Sequence, residues 1–180
     1  MEPFELQGSG LTLNQLRPAD APDVARYCAD PIFEEFMATP WPYTLADAES
    51  FISEYAPQAW ANGSEWTWAI RREADGPVLG VISIRLPSGM LGYWLGEPHR
   101  GQKIMSACVD LVTEAAFART NVEAVLWEAR VGNIGSRRTI ERSGFTDTGE
   151  AIGTILGRDG GPVLSWTARL DRPTAGAVPA

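Results

Sequence analysis

Met90-Leu91-Gly92-Tyr93-Trp94-Leu95-Gly96-Glu97-Pro98-His99-Arg100-Gly101-Gln102-Lys103-Ile104-Met105-Ser106 is the stretch whose reading decides the fold. An apolar run, Met90 to Leu95, is broken by Gly96 and Pro98, and from Gln102 the pattern is that of a helix. Between them lies a basic turn containing Gly101. Strand, tight basic turn and helix N-terminus together build an anion site. The first N–H groups of a helix lack intrahelical acceptors, its dipole is positive at that end, and a glycine lets backbone approach a phosphate. The turn has no Gly-Lys-Ser/Thr ending and no G-x-G-x-x-G fingerprint, which excludes a Walker loop and a dinucleotide loop.

Downstream, Gln102 to Arg119 reads as the central helix, with Ile104, Ala107/Cys108, Leu111/Val112 and Ala115 on one stripe. Val122 to Val131 is a strand, and Gly135 to Ser143 a short helix closed by Gly144. Two further strands, Thr146 to Leu156 and Val163 to Leu170, flank Gly157-Arg158-Asp159-Gly160-Gly161. Upstream, Leu11 to Arg17 is a first strand, and Asp20 caps a helix that Pro31 ends. Ile32 to Met37 is a short helical piece. Thr44, with Asp47 three residues on, caps a helix to Ala61 that Pro57 kinks and Asn62-Gly63 stops. Glu65 to Arg72 and Val78 to Leu86 form a hairpin around Asp75-Gly76, and Pro87-Ser88-Gly89 turns the chain into Met90.

A chain of 180 residues with 44% hydrophobic and 21% charged residues fits one globular domain, expected over residues 1–172, with a disordered tail at 173–180. No apolar run reaches bilayer length and the N-terminus lacks a signal pattern, so the expected location is cytoplasmic, with no membrane partner. A net charge of −8 argues against a nucleic-acid partner and is suited to attracting a cationic amine. Cys28 and Cys108 lack ligand spacing and read as buried thiols; with His99 the only histidine, no metal is expected. A monomer or a homodimer is compatible with this composition.

The segment Arg100-Gly101-Gln102-Lys103-Ile104-Met105 resembles the pyrophosphate loop of the GNAT superfamily, the acetyl-CoA-dependent N-acetyltransferases. Lys103 and Met105 stand where that family usually has small residues. Asn133-Ile134-Gly135-Ser136, a short helix and Gly144-Phe145 are similar to its second cofactor motif. Pro40 to Phe51 looks like the entry to the second helix in the branch that acetylates ribosomal-protein N-termini. The resemblance implies an α/β fold, a mixed and strongly twisted sheet of about six or seven strands with helices on both faces.

It also implies acetyl transfer, or transfer of a larger acyl group, from acyl-CoA to a primary amine by direct attack in a ternary complex. The amine would belong to a protein N-terminus, a metabolite or an antibiotic. The pyrophosphate cradle is expected from Gln102, Lys103, Ile104, Met105 and Ser106, with Arg100, Gly101 and Arg137 beside it. Backbone N–H groups near Trp94 and Leu95 would face the carbonyl oxygen. Met105 either crowds the pantetheine or points into the core, and the core is the preferred reading. Replacing the family glycine by Lys103 forbids little if φ stays negative. Ser136 is either the acid that protonates the leaving thiolate or the N-cap of the following helix, and Asn133 either binds the pantetheine amide or caps the turn. For the base, Glu150, Glu128, Glu34 and Glu35 are candidates, each also readable as a surface carboxylate; a water chain or an already neutral amine would serve as well. The acceptor is expected in an acidic, aromatic-lined cleft formed by Phe33, Glu34, Glu35, Phe36 and Trp41. The rival reading is a GNAT-fold binding or regulatory module without catalysis, motivated by Lys103, by Met105 and by Ala151 to Leu156, which lacks the glutamate that the resembled ribosomal-protein branch carries on the strand after Gly-Phe.

Overall fold

A computed structural model describes residues 2–174. Its strands are β1 (Leu6–Gly8), β2 (Leu11–Asn14), β3 (Glu65–Arg71), β4 (Gly80–Arg85), β5 (Met90–Leu95), β6 (Ala124–Arg130), β7 (Thr146–Leu156) and β8 (Pro162–Asp171). The helices are α1 (Ala21–Cys28), α2 (Pro31–Phe36), α3 (Leu45–Ser50), α4 (Ala56–Asn62), α5 (Ile104–Arg119) and α6 (Ile134–Arg142). All eight strands join one sheet in the order β1-β2-β3-β4-β5-β6-β8-β7. Every neighbouring pair is antiparallel except β5 with β6. That parallel pair meets only where Met90 lies opposite Leu126, and beyond this point the two strands diverge.

One strand more is present than the six or seven expected. The extra one is β1, which folds back on β2 through Ser9 and Gly10, at φ 53° and 69°. A two-residue turn of this hand needs positive φ at both positions, and a serine there hides the signal. The helix expected from Thr44 to Ala61 is present but not uniform. Thr44 and Asp47 exchange the reciprocal bonds of a capping box. A π-helical segment, Phe51–Tyr55, then precedes Pro57, and Ala56 donates to Phe51 across the wider turn. The extra residue takes up the irregularity that proline imposes on a helical ladder. Asp20 stands at the N-cap of α1 without capping it through its side chain. Its carboxylate instead binds the buried guanidinium of Arg71 at 2.6 and 2.9 Å and the Arg17 N–H at 2.8 Å.

The core lies on both sides of the sheet. Ile104, Cys108, Val109, Val112 and Ala116 of α5 pack against β2 to β6 on one face. Val24 and Cys28 of α1, Phe33, Ala48 and Ile52 fill the other. Every residue of β3 is buried, as expected for a strand covered on both faces. Trp60, Trp66 and Trp68 cluster around Phe4, so most of the aromatic area seen in the sequence is core. Both cysteines are free and buried, and burial pushes each thiol up to about 12. Among the described residues, no helix is long and apolar enough to cross a membrane. Of the expected tail, residues 175–180 lie outside the described residues.

Candidate active site

Where β5 parts from β6, a cavity of about 320 Å³ opens between the end of β5 and α6. Its walls come from three places in the chain. At one end α2 supplies Ile32, Phe33 and Phe36, and Met37 just past it, backed by Trp94. The turn from Arg100 to Ser106 and one face of α6 form the other end, where Lys103, Arg138 and Arg142 supply positive charge. Tyr93 and Ser136 face each other in between.

The basic end is built by the turn. Gly101 has φ +75° with open space beside it, and Lys103 has φ 60° and ψ 11°. These left-handed residues delay α5 to Ile104, two residues later than the sequence pattern suggests. The condition under which Lys103 would forbid little, a negative φ, is therefore not met: the turn takes the left-handed conformation at that position although no glycine fills it. A β-carbon makes this conformation costly by roughly 1–2 kcal/mol. Lys103→Gly is therefore expected to raise stability by up to about 1 kcal/mol after the entropy of the freer unfolded chain is subtracted. The check is a higher urea midpoint at unchanged m; a lower midpoint would mean that the lysine stem contributes packing.

After Arg100, whose N–H binds the Glu97 carbonyl at 3.2 Å, the next backbone N–H with an acceptor is that of Ala107, which binds the Lys103 carbonyl at 3.3 Å. The N–H groups of Ile104, Met105 and Ser106 are thus the open donors of a helix start, facing a cavity with three cations. Met105 is only 5% exposed and belongs to the core, while part of it still lines the cavity. Arg100 also lines it, but its guanidinium is engaged: Nε donates to the Leu95 carbonyl at 3.0 Å and Nη1 to Asp30 at 2.7 Å. Partial burial works against the Asp30 charge, yet the Ile32 N–H and Arg100 outweigh it and hold the carboxyl below its ordinary value.

Two expected cradle residues point elsewhere. Gln102 donates to the Pro98 carbonyl at 2.8 Å and accepts from Arg72. Arg137 pairs with Glu141 and Asp147 and lies 4.6 Å over the Trp166 ring. The helical period explains the second case: Gly135, Arg138, Thr139 and Arg142 share the cavity face of α6, and residues 137 and 141 lie round the side.

Strand parity sorts the backbone donors. Gly96 N–H binds the Leu79 carbonyl at 2.9 Å, and the Gly89 carbonyl accepts from Leu126 on the other edge. Backbone groups alternate between edges, so Tyr93 and Leu95 turn their N–H groups toward the opening between β5 and β6. Trp94, opposite Val81, turns its N–H into the ladder with β4. The donors at the opening are therefore those of Tyr93 and Leu95, while Trp94 contributes its ring to the far wall, edge-on to Phe33 at 5.7 Å.

Ser136 is not the N-cap. Asn133 holds that position, accepting from the Ser136 N–H at 3.1 Å. The Ser136 hydroxyl is left for another network: it accepts from Trp127 Nε1 at 3.0 Å and donates to the Tyr93 hydroxyl at 2.9 Å, which in turn donates to the Ser136 carbonyl at 3.2 Å. Burial raises the Tyr93 phenol well above its ordinary value, and the bonds to Ser136 and Trp127 pull only partly against it. Tyr93 carried no motif signal; only its place on β5, opposite α6, brings it here.

None of the candidate bases lines the cavity. Glu128, on β6, accepts from the Thr154 and Ile155 N–H groups at 2.8 and 3.0 Å; burial opposes its charge, but these bonds hold the carboxyl below the ordinary range. Gly153 makes room for it, since a Cβ there would sit 2.2 Å from Oε1. Glu150 accepts from Trp166 Nε1. Glu34 and Glu35 are exposed on the outer side of α2, and Glu35 borders a separate recess with Arg130, Val163 and Leu164. Trp41 also lies outside the cavity, 5.9 Å from the Arg158 guanidinium. The end expected to be acidic is apolar and aromatic. His99, bound to Tyr27 at 2.9 Å, is half-buried, and that burial, reinforced by Arg26 and Arg72, holds its pKa below the usual imidazole value. Among the described residues, no group of carboxylates, histidines and cysteines could hold a metal ion.

A family model described as an acetyltransferase (GNAT) domain matches residues 10–146, and the chain belongs to this family. YjcK of Bacillus subtilis (strain 168), named as a probable N-acetyltransferase, is 28% identical over 115 residues, 61% of this chain and 63% of YjcK, so the match spans less than two thirds of that relative. Among solved structures, RimL, a ribosomal alpha-N-protein acetyltransferase in complex with coenzyme A, superposes with a TM-score of 0.79 at 17% identity, over 93% of this chain and 98% of RimL. The self-immunity acetyltransferase MccE, solved with acetyl-CoA and AMP, gives 0.77 at 21% identity, over 91% of this chain and 93% of MccE. At these identities the two structures bear on the fold.

Proposed function

We propose that the protein transfers an acetyl group from acetyl-CoA to a primary amine, with both substrates held in the cavity between the end of β5 and α6. The observation that carries this reading is the polarity of that cavity: open helix N–H groups and three cations at one end, an aromatic wall at the other, and two bonded hydroxyls between. The residues present suit coenzyme A. Ile104, Met105 and Ser106 N–H groups with Lys103 would bind pyrophosphate, and Arg138 and Arg142 are available for further phosphate. When bound, that co-substrate supplies the activated thioester. The N–H groups of Tyr93 and Leu95 would stabilise charge developing on its carbonyl oxygen. Tyr93 and Ser136 would return a proton to the departing sulfur.

The acceptor enters from the α2 side, and its wall favours an amine carried on an apolar body. A protein N-terminus, a metabolite and an antibiotic all meet that description; the activity in RimL's name supports the first. A module that binds coenzyme A without catalysis remains the rival, favoured by Lys103 and by the lack of a carboxylate in the cavity. Calorimetry with acetyl-CoA, followed by thiol release over a panel of peptide and small-molecule amines, separates the two. Binding without amine-dependent thiol release would decide for the rival, and absence of binding would sink both.

A further inference from the structure

The acceptor wall is held from a distance by an arginine that no motif contains. Arg158 lies in the turn between β7 and β8, within a loop closed by two backbone bonds between Gly157 and its neighbours: Gly157 N–H to the Gly161 carbonyl at 2.8 Å, and Gly160 N–H to the Gly157 carbonyl at 2.9 Å. Asp159 tightens it by accepting from the Gly161 N–H at 3.0 Å. From this closed tip the guanidinium reaches the far end of α2. Nε donates to the Glu34 carbonyl at 2.9 Å, Nη1 to Thr39 at 3.0 Å, and Nη2 to Phe33 at 3.0 Å and Met37 at 3.3 Å.

These acceptors have a physical reason to be met. Carbonyls at and just past a helix end mostly lack intrahelical donors and sit at the negative end of its dipole, so a cation with several N–H groups suits them. Of these four, Glu34 is a terminal carbonyl of α2, Met37 and Thr39 lie just beyond it, and Phe33 accepts in addition from the Met37 N–H at 3.1 Å. Arg130 of β6 donates to the adjoining Glu35 carbonyl. A helix of 6 residues cannot fix its own position, and α2 is tied down by two arginines from the other half of the sheet. The inner side of the same segment carries Ile32, Phe33, Phe36 and Met37 into the cavity.

We infer that Arg158 is a positioning residue for the acceptor: by holding α2 against the β7–β8 tip it sets the shape of the apolar wall, so that this hairpin governs which amine fits. The inference rests on the reading of the α2 end as the acceptor end. Arg158→Ala is expected to raise the KM of the best amine from the panel by on the order of 10-fold, with kcat and acetyl-CoA affinity changed by no more than about twofold. Arg158→Lys keeps a cation at the helix end but reaches fewer carbonyls and should fall in between. It also serves as the test if the alanine variant does not fold. Amide exchange should quicken over residues 33–39 in either variant and stay unchanged in α5 and α6. An unchanged amine KM beside a lower Tm would reduce Arg158 to a structural tie and overturn the inference, as would unaltered exchange over 33–39. If the wild type transfers to no amine, the functional reading falls, while the exchange measurement still decides whether Arg158 holds the wall.

Discussion

Replacing Gly101 by valine is expected to abolish most acetyl-CoA binding while leaving the fold in place. The position is open, with no heavy atom within 4 Å of the point a β-carbon would occupy, so steric conflict with the rest of the protein is not the reason. The backbone is. At φ +75° a β-branched residue is strained by roughly 1–2 kcal/mol, and the turn relieves that strain by rotating. Rotation redirects the peptide groups leading into Ile104 and sets two isopropyl methyls on the approach to the open N–H groups. Bonds from such donors to an ionised phosphate are worth about 1.5–3 kcal/mol each, so losing two weakens binding by on the order of 10²- to 10⁴-fold. Calorimetry checks the affinity, and thermal unfolding checks that Tm moves by only a few degrees, as about 2–4 °C per kcal/mol predicts for a chain of this size. Unchanged affinity in a folded variant would show that the phosphates bind elsewhere.

The second large effect concerns the hydroxyl pair. Ser136→Ala is expected to lower kcat by roughly 10- to 100-fold or more, with little change in acetyl-CoA affinity. A capping role cannot produce this result, because Asn133 is the cap. Tyr93→Phe removes the other hydroxyl, and if the phenol is the group that meets the sulfur its kcat should fall further, within the range of about 10²- to 10⁴-fold typical of a proton donor. Burial keeps the phenol protonated to higher pH than an ordinary tyrosine. In the wild type, then, no loss of kcat from Tyr93 ionisation should appear as pH rises to the usual tyrosine range. Full turnover in both variants would remove these hydroxyls from the chemistry. An equal loss in both would instead mean that they act as one unit.

What could be read from the residues, and what could not, divides by the range of the interaction. Capping by Thr44 and Asp47, the stop at Asn62-Gly63 and the strands around Gly157–Gly161 are local, and sequence patterns report them well. The basic turn at Gly101 leading into a helix was legible, but the left-handed conformation of Lys103 was not, because a lysine does not mark a position of positive φ. Strand β1 was hidden by a serine where a glycine or asparagine would have marked the turn. The assignments of Ser136 and of the backbone donors failed to resolve for a different reason: each depends on which edge of β5, or which face of α6, meets the opening. Arg158 left no trace at all. Its partners are more than a hundred positions away in the chain, and an isolated arginine in a glycine-rich turn reads as solvated charge.

That β5 and β6 pair at a single position, Met90 with Leu126, has a consequence for how such a chain can assemble. Strands β1 to β5 are sequential neighbours in space, each closed on the last by a hairpin or by the α1–α4 excursion, and β6 to β8 form a second run of near neighbours. Pairings within each run need comparatively short loops to close, whereas joining the runs needs the chain spanned by α5 to dock across the sheet. The topology thus places one joint between two runs of paired strands, with a core that is continuous beneath it, and the cavity opens beside that joint. The lining of the cavity draws on both runs, Tyr93 and Leu95 from one and Ser136, Arg138 and Arg142 from the other, so neither half alone contains the site. Substrates that touch both sides bind to the assembled joint and not to the parts, so by mass action they favour the docked state over any form in which the halves have come apart.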